Sequence, residues 1–187
     1  MDLFLVKHNL EKNYPVVQEE TLPHPQRAAV MVMLYPKPKK IHMLMTQRAR
    51  HLKHHAGEMS FPGGVFEEQD EDLMFTALRE TEEELGIRVE PENVLGRLPI
   101  VNTRLGFEVT PFVAVLPSAP EYEPAEEEVE EVLEIPFTSL FATQQKEIGS
   151  KSAEEGVVYW FRHHRIWGAS AKIIKQIGHL SMYEISE

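Results

Sequence analysis

The chain has 187 residues, and none of them is cysteine. That absence excludes disulfide bridges, a catalytic thiol and a cysteine-ligated zinc site. Proteins of a reducing compartment rarely carry disulfides, so the composition fits the cytoplasmic location that we expect here.

Long apolar runs and positive charge are also scarce. No stretch reaches the roughly 18 consecutive apolar residues that a membrane span needs, and residues 1–14 lack the basic start and apolar stretch of a secretion signal. Lysine and arginine total 19 against 30 aspartates and glutamates, which gives a net charge of −11. A nucleic-acid-binding surface is therefore not expected, because binding to phosphate backbones requires an excess of positive charge.

The apolar pattern is typical of one α/β domain. At this length a single domain with a substantial core is the simplest organisation, and we divide the chain into an N-terminal arm with a short helix (1–26) and a domain (27–187). Strand-like and helix-like segments alternate, which predicts a mixed sheet covered by helices on both faces. The predicted strands lie at 27–35, 41–47, 94–103, 107–117, 132–137 and, as a tight pair, within 156–168; the later predicted helices lie at 72–85, 138–145 and 169–180.

Acidic residues crowd the segment FPGGVFEEQDEDLMFTALRETEEELGI (61–87), which holds a single arginine, Arg79. A helix advances about 100° per residue, so Glu80, Glu83 and Glu84 share one face. Carboxylates at such spacing repel each other by about 1 kcal/mol per pair even in water. A hard divalent cation such as Mg²⁺ or Mn²⁺ would relieve that repulsion, because it prefers oxygen ligands.

The alternative is a solvated acidic helix whose glutamates pair with basic residues one turn away. Such a helix would interleave lysine or arginine with the acid, and none follows Arg79 before Arg88. We therefore favour a metal site on this helix. The residues expected to meet the core lie on its other side: Met74, Leu78, Thr81 and Leu85.

The segment resembles the Nudix box, in which a glycine and an acidic residue precede the run Arg-Glu-(apolar)-x-Glu-Glu-x-Gly-(apolar). Residues 79–87 match that run in register, with Thr81 at a position that is apolar in the family. Between the glycine, Gly64, and the arginine, Arg79, this chain is one residue longer than the family pattern. Counting from Arg79 selects Glu71 as the early acid, whereas counting from Gly64 selects Asp70.

The resemblance implies a Nudix-type α/β/α sandwich and the hydrolysis of a nucleoside diphosphate linked to another moiety. It implies metal ligation by Glu83 and Glu84, with Glu80 as a further ligand or as the base that orients water, and Mg²⁺ or Mn²⁺ as the cofactor. Arg79 would hold these glutamates by salt bridges, so that Glu80, Arg79 and Glu83 form the implied catalytic group. The glycines at 63–64 would let the backbone approach metal or phosphate.

The preceding segment, LMTQRARHLKHHAGEMSFPGG (44–64), resembles the additional signature of coenzyme A pyrophosphatases within that family, with Ala49 where the signature has serine. Coenzyme A carries a pyrophosphate and a 3′-phosphate, and a basic loop before the glycines suits them. The alternative is a surface loop that balances nearby acid. The segment 165–173 is also similar to a piece near the end of such chains. The residues predicted to bind substrate are Arg48, Lys53, His55, Gly63 and Gly64.

The resemblance thus implies cleavage of coenzyme A or acyl-CoA to 3′,5′-ADP and (acyl-)4′-phosphopantetheine. The rival substrate is ADP-ribose or another nucleoside diphosphate derivative. A rival of another class is a nucleotide-sensing module without turnover, against which the intact Glu80, Glu83 and Glu84 argue. The expected partner is a small-molecule nucleotide and neither nucleic acid nor a membrane, while the oligomeric state stays open, a homodimer included.

Two further groups of candidates lie outside the Nudix box. Glu128 or Glu130, in the acidic segment 121–134, could supply an additional base or metal ligand, with a solvated loop as the alternative. Four aromatic residues could stack an adenine, with core packing as the alternative for each: Phe61, Phe107, Tyr159 and Trp167.

Overall fold

The structure, a computed structural model, describes residues 2–17, 24, 26–38, 40–147 and 156–180. The helices are α1 (Leu3–Asn13), α2 (Leu73–Leu85), α3 (Phe137–Phe141) and α4 (Gly168–Leu180). The strands are β1 (Arg27–Lys37), β2 (Lys40–Arg48), β3 (Met59–Ser60), β4 (Gly63–Val65), β5 (Val94–Arg97), β6 (Val101–Asn102), β7 (Glu108–Val115), β8 (Val129–Pro136), β9 (Gln145–Lys146), β10 (Val157–Phe161) and β11 (His164–Ile166). No helix in these ranges combines the length and the apolarity that crossing a bilayer requires.

Strand β1 is the centre of the main sheet. It pairs in parallel with β7, from Arg27 opposite Glu108 to Leu34 opposite Val115, and antiparallel with β2 and β4. The order across the sheet is β3-β2-β1-β7-β5, with β8 paired to β2 and β6 paired to β7. Strands β9, β10 and β11 form a second, three-stranded sheet. The main sheet is therefore mixed, as predicted.

The side chains of β1 alternate between two cores. Val32 and Leu34 belong to the core that also holds residues of α1, α3 and α4, whereas Met31 and Met33 belong to the core built on α2. All four side chains are fully buried. Burying each stabilises the fold by about 1.5–3 kcal/mol, so the alternation fixes which face of the sheet carries α2. The prediction of a sheet with helices on both faces is confirmed.

Helix α1 packs onto strand β5 and helix α4. Leu10 is fully buried, and a Cβ at Gly96 would lie 2.6 Å from its Cδ2, so the helix approaches the β5 backbone closely. The Nδ2 of Asn9 donates to the Leu180 carbonyl at 2.7 Å. The division into an arm (1–26) and a domain (27–187) stays a prediction, and residues 18–23 and 181–187 of those segments lie outside the described part of the chain.

The prediction of one strand over 94–103 is wrong, because β5 ends at Arg97 and β6 begins at Val101. Between them Pro99 has no N–H to donate to a ladder, and the pairing of β5 with β7 already shifts register before that point. The short helix predicted at 138–145 is α3 over 137–141. A turn follows it, and β9 begins at Gln145.

Candidate active site

Helix α2 begins and ends where its sequence specifies. Asp72 caps the N-terminus by accepting from the Phe75 N–H at 2.8 Å, and Gly86 ends the helix at a φ of 65°, in the left-handed region that favours glycine. Thr81 donates its hydroxyl to the Ala77 carbonyl at 2.6 Å. This internal hydrogen bond lets a threonine occupy a buried position that is apolar in the family. The predicted core-facing residues are all buried or half-buried: Met74, Leu78, Thr81 and Leu85.

Arg79 bonds three carboxylates at once. Its Nη1 donates to Glu80 Oε1 at 2.9 Å and to Glu83 Oε2 at 3.0 Å. Its Nε and Nη2 donate to the two carboxylate oxygens of Asp70 at 2.8 and 3.0 Å. The arginine side chain is only 13% exposed, so these charge-assisted bonds are poorly screened by solvent. A single guanidinium therefore keeps Glu80 and Glu83 together on the helix despite their repulsion.

Asp70, and not Glu71, is the early acid that contacts this cluster. Its side chain is fully buried and also accepts from the Thr76 hydroxyl at 2.8 Å and from the Glu67 N–H at 3.0 Å. Burial opposes ionisation, but the hydrogen bonds, that from Arg79 first, outweigh it and lower the pKa of Asp70. Glu71 is exposed.

Glu84 differs from the other two glutamates of the predicted metal face. It is 3% exposed, because β4 and the segment before β8 cover it: the Gly63 N–H bonds its carboxylate, and the Ala125 N–H donates to its carbonyl at 2.9 Å. Burial raises the pKa of Glu84 to about 8, although Arg48, with Nη1 at 3.9 Å, opposes the rise. Helical periodicity alone predicted that Glu80, Glu83 and Glu84 are equivalent. The structure corrects that prediction, because tertiary contacts bury Glu84.

Strand β4 passes directly over the Glu80 carboxylate. A Cβ at Gly64 would run into that carboxylate, so a larger residue would displace either the strand or the glutamate. Burial raises the pKa of Glu80; Arg79 opposes the rise, and the charges of Glu83 and Glu128 add to it. A carboxylate whose charge is destabilised in this way is a stronger base than an exposed glutamate.

The carboxylates of Glu80, Glu83 and Glu84 fit a divalent cation that few side chains hold. Glu80 and Glu83 present carboxylates gathered on one guanidinium nitrogen. The raised pKa of Glu84 means that its neighbours do not fully compensate its ionised form, and a cation would supply the missing positive charge. Among the described residues no three His, Asp or Glu side chains converge as a ready-made metal cage. Mg²⁺ usually keeps several waters and takes substrate phosphate oxygens, so one or two carboxylates suffice to hold it.

A cleft of about 1110 Å³ opens beside Gly63 and Gly64. Arg48, the last residue of β2, and His55, in the loop that follows β2, line this cleft. The Nε of Arg48 is buried without a hydrogen-bond partner among the described residues, so this cleft residue has a donor still to satisfy. Lys53, also predicted to bind substrate, is exposed and lies outside the cleft lining, so its position does not support that role.

Residues that sequence reasoning missed line the same cleft: Asn102, Thr103, Arg104, Leu105, Glu147 and Lys172. Arg104 lies in an ordinary hairpin turn and carries no signal of its own in the sequence. Lys172 falls in the segment 165–173, which is similar to a piece near the end of coenzyme A pyrophosphatase chains. Phe107 and Trp167 also line the cleft, and so does Phe61, although it is only 2% exposed and belongs to the core. Tyr159, 0% exposed, belongs to the core and lies outside the cleft lining.

Of the two candidate acids in the segment 121–134, Glu128 interacts electrostatically with the α2 glutamates. Its charge contributes to the raised pKa of both Glu80 and Glu84. Glu130 instead pairs with Arg50, whose Nε lies 3.4 Å from its Oε1 at the surface. A role of Glu128 as an additional base or metal ligand stays a prediction, which this charge effect supports for Glu128 and not for Glu130.

Comparison with known proteins gives a consistent result. Residues 25–172 match the NUDIX domain family. The protein described as "Uncharacterized Nudix hydrolase NudL" from Escherichia fergusonii is 35% identical over 181 residues, which cover 95% of this chain and 92% of the relative. Among solved structures, a MutT/nudix family protein from Enterococcus faecalis has a TM-score of 0.58 at 17% identity, over 88% of this chain and 65% of that chain.

A further solved structure is the NUDIX domain of Shewanella oneidensis NrtR complexed with ADP ribose. Its TM-score is 0.51 at 23% identity, over 63% of this chain and 77% of that chain. At such identities the solved structures show a shared fold and nothing finer. The family match and the NudL relative extend over most of the chain and include residues 79–87 of α2. The chain therefore belongs to the Nudix hydrolases, pyrophosphohydrolases that generally require a divalent metal such as Mg²⁺ or Mn²⁺.

Proposed function

We propose that the protein hydrolyses the pyrophosphate bond of coenzyme A or acyl-CoA and releases 3′,5′-ADP and (acyl-)4′-phosphopantetheine. The observation that carries the proposal is the make-up of one cleft. Arg48 and His55, from the segment that resembles the coenzyme A signature, line it beside Gly63 and Gly64, which contact the α2 carboxylates. Its volume of about 1110 Å³ lies above the roughly 300–1,000 Å³ of common small-ligand pockets and suits a long substrate.

In this proposal the α2 residues perform the hydrolysis. Glu80, whose pKa is raised by burial, orients the attacking water and accepts its proton. Glu83 and Glu84 would hold a divalent cation, which would offset phosphate charge and lower the pKa of water. Arg79 positions Glu80 and Glu83 through its Nη1. Water attacks one phosphorus, the bond to the bridging oxygen breaks, and both products leave as phosphate monoesters.

In this proposal, Arg48 and His55 of the segment 44–64 determine the substrate class. Arg48 presents a guanidinium that can donate two hydrogen bonds to one phosphate group, and His55 lines the same cleft. ADP-ribose is the rival substrate, and it is the ligand of the structurally similar NrtR domain. A sensing module without turnover is the rival of another class, and the gathered Glu80 and Glu83 favour hydrolysis over it.

The test is a substrate panel on purified protein. Coenzyme A, acetyl-CoA, ADP-ribose and diadenosine tetraphosphate are each incubated with Mg²⁺, with Mn²⁺ or with EDTA, and the products are identified by mass spectrometry. We expect kcat/KM for coenzyme A to exceed that for ADP-ribose by at least about tenfold, and EDTA to abolish turnover. A preference for ADP-ribose would contradict the substrate assignment. Tight nucleotide binding without turnover of any compound would support the sensing module instead.

A further inference from the structure

We propose that Arg104 and Lys172, supported by Arg165, form a second phosphate subsite in the cleft, separate from the pyrophosphate site at α2. In coenzyme A the group bound there is the 3′-phosphate. The inference depends on the proposed function only for the identity of that phosphate.

Arg104 and Arg165 are held together by the same two residues. Each guanidinium carbon lies 5.6 Å from the centre of the Trp167 ring. The Nη2 of Arg104 lies 3.5 Å from Glu147 Oε2, and the Nη2 of Arg165 lies 2.9 Å from Glu147 Oε1. One carboxylate offsets only one of these two positive charges, and Lys172 lines the same cleft. Among the described residues, the two guanidiniums therefore outnumber the one carboxylate that joins them, in a chain whose overall charge is −11.

The β6–β7 turn presents Arg104 to the cleft. The turn is closed by the Thr103 N–H, which donates to the Phe107 carbonyl at 2.9 Å, and by the Phe107 N–H, which donates to Thr103 Oγ1 at 3.0 Å. Gly106 has a φ of 87° in this turn. The Arg104 side chain stays 71% exposed although it contacts Trp167 and Glu147. A positioned arginine with accessible N–H groups binds phosphate at a low cost in side-chain entropy.

Coenzyme A and ADP-ribose differ in their number of phosphate groups, so this cationic cluster can distinguish between them. The phosphates of ADP-ribose all belong to its pyrophosphate, which the α2 site would hold. Coenzyme A carries one more phosphate, on the ribose. A cationic cluster in the same cleft as Arg48 and Gly64 thus favours coenzyme A by a contact that ADP-ribose cannot make.

The test measures binding of 3′,5′-ADP and of 5′-AMP by isothermal titration calorimetry, because these nucleotides differ only in the second phosphate. We expect the wild-type protein to bind 3′,5′-ADP about tenfold more tightly than 5′-AMP, and Arg104→Ala to remove most of that preference without changing the affinity for 5′-AMP. Arg88→Ala is the matched control, since Arg88 is similarly exposed, 77% against 71%, and lies outside the cleft lining. It should preserve the preference. An equal loss of affinity for both nucleotides in Arg104→Ala, or no preference in the wild type, would overturn the subsite.

Turnover of coenzyme A and of 3′-dephospho-coenzyme A, measured on the same proteins, separates this inference from the proposed function. If the wild type cleaves coenzyme A but Arg104→Ala leaves the ratio of the two kcat/KM values unchanged, the subsite is refuted and the proposed function stands. If coenzyme A is not cleaved but the 3′,5′-ADP preference depends on Arg104, the subsite stands and the substrate assignment is refuted. Because the Arg104 side chain is largely exposed, its truncation should leave Tm unchanged, which a thermal melt checks.

Discussion

Arg79 donates two parallel hydrogen bonds to Asp70, from Nε to Oδ1 at 2.8 Å and from Nη2 to Oδ2 at 3.0 Å. The remaining nitrogen, Nη1, bonds Glu80 and Glu83. Asp70 is itself fixed by Thr76 and by the Glu67 N–H. The buried aspartate therefore determines where the guanidinium lies, and the guanidinium determines where the two glutamates lie.

Substitution of Asp70 and of Glu71 distinguishes the two candidates for the early acidic position. Asp70→Asn should lower the free energy of unfolding by about 2–4 kcal/mol, because it leaves a poorly solvated guanidinium without its main partner. Glu71→Gln is the neighbouring control and should change it by less than about 0.5 kcal/mol, since Glu71 is exposed. Urea unfolding at neutral pH measures both variants.

The pH dependence provides a second readout for Asp70. Its pKa is lowered in the folded state, so the stability it contributes is present above the usual aspartate pKa and is lost as pH falls through the folded pKa. Asp70→Asn should therefore flatten the acid limb of the stability curve. A larger effect of Glu71→Gln than of Asp70→Asn would contradict the anchoring role of Asp70.

Adjacent glutamates on α2 test the metal-ligand assignment. Glu83→Gln should lower kcat by at least about a hundredfold, which corresponds to about 2.7 kcal/mol of transition-state free energy, because an amide oxygen is a poorer ligand for Mg²⁺. Glu82→Gln, the control one residue earlier, should retain nearly full activity. The Glu83 side chain is 57% exposed, so both variants should keep the wild-type Tm without metal. Full turnover by Glu83→Gln would remove Glu83 from the metal site.

The buried Glu84 predicts a pH-dependent stability of the opposite sign. Its folded pKa of about 8 lies above the usual 4.5, so between these values the folded state holds a proton that the unfolded state has lost. The stability of metal-free protein should therefore fall as pH rises across that window. Glu84→Gln lacks the ionisation and should be more stable than wild type at pH 8 by on the order of 2 kcal/mol, with little difference near pH 5.

Urea unfolding in EDTA at the two pH values measures this difference. Excess Mg²⁺ should raise the Tm of the wild type at pH 8 by binding only the folded state, and should raise that of Glu84→Gln much less. A variant that responds to Mg²⁺ as the wild type does would show that Glu84 is not a ligand.

The acidic segment before β8 offers a fourth test. Glu128→Gln should reduce kcat by about tenfold or more and should bring the pKa values of Glu80 and Glu84 closer to the usual value, because one neighbouring negative charge is removed. Glu130→Gln, the matched control two residues along the chain, should leave kcat unchanged since its partner is the surface Arg50. Steady-state pH–rate profiles of both variants measure the change in kcat and in the pKa values that govern it. Equal effects of the two substitutions would contradict a special role for Glu128.

Much of the secondary structure could be predicted because its signals are local. Helix α2 has its cap residues at Asp72 and Gly86, and the strand pair β1–β2 is marked by two apolar runs around a proline-rich turn. The strand predicted over 94–103 failed, because its division depends on the way β7 pairs with each half.

By itself the sequence determined that Arg79, Glu80 and Glu83 share a helix after a glycine pair, since helical periodicity and a fixed motif spacing are properties of adjacent residues. Only the tertiary structure decided that Glu84 is buried and that Asp70 is the anchor of Arg79. It also decided that Arg104 lines the same cleft as Arg48. Those outcomes depend on contacts between segments far apart in the chain, and no local pattern of residue types encodes them.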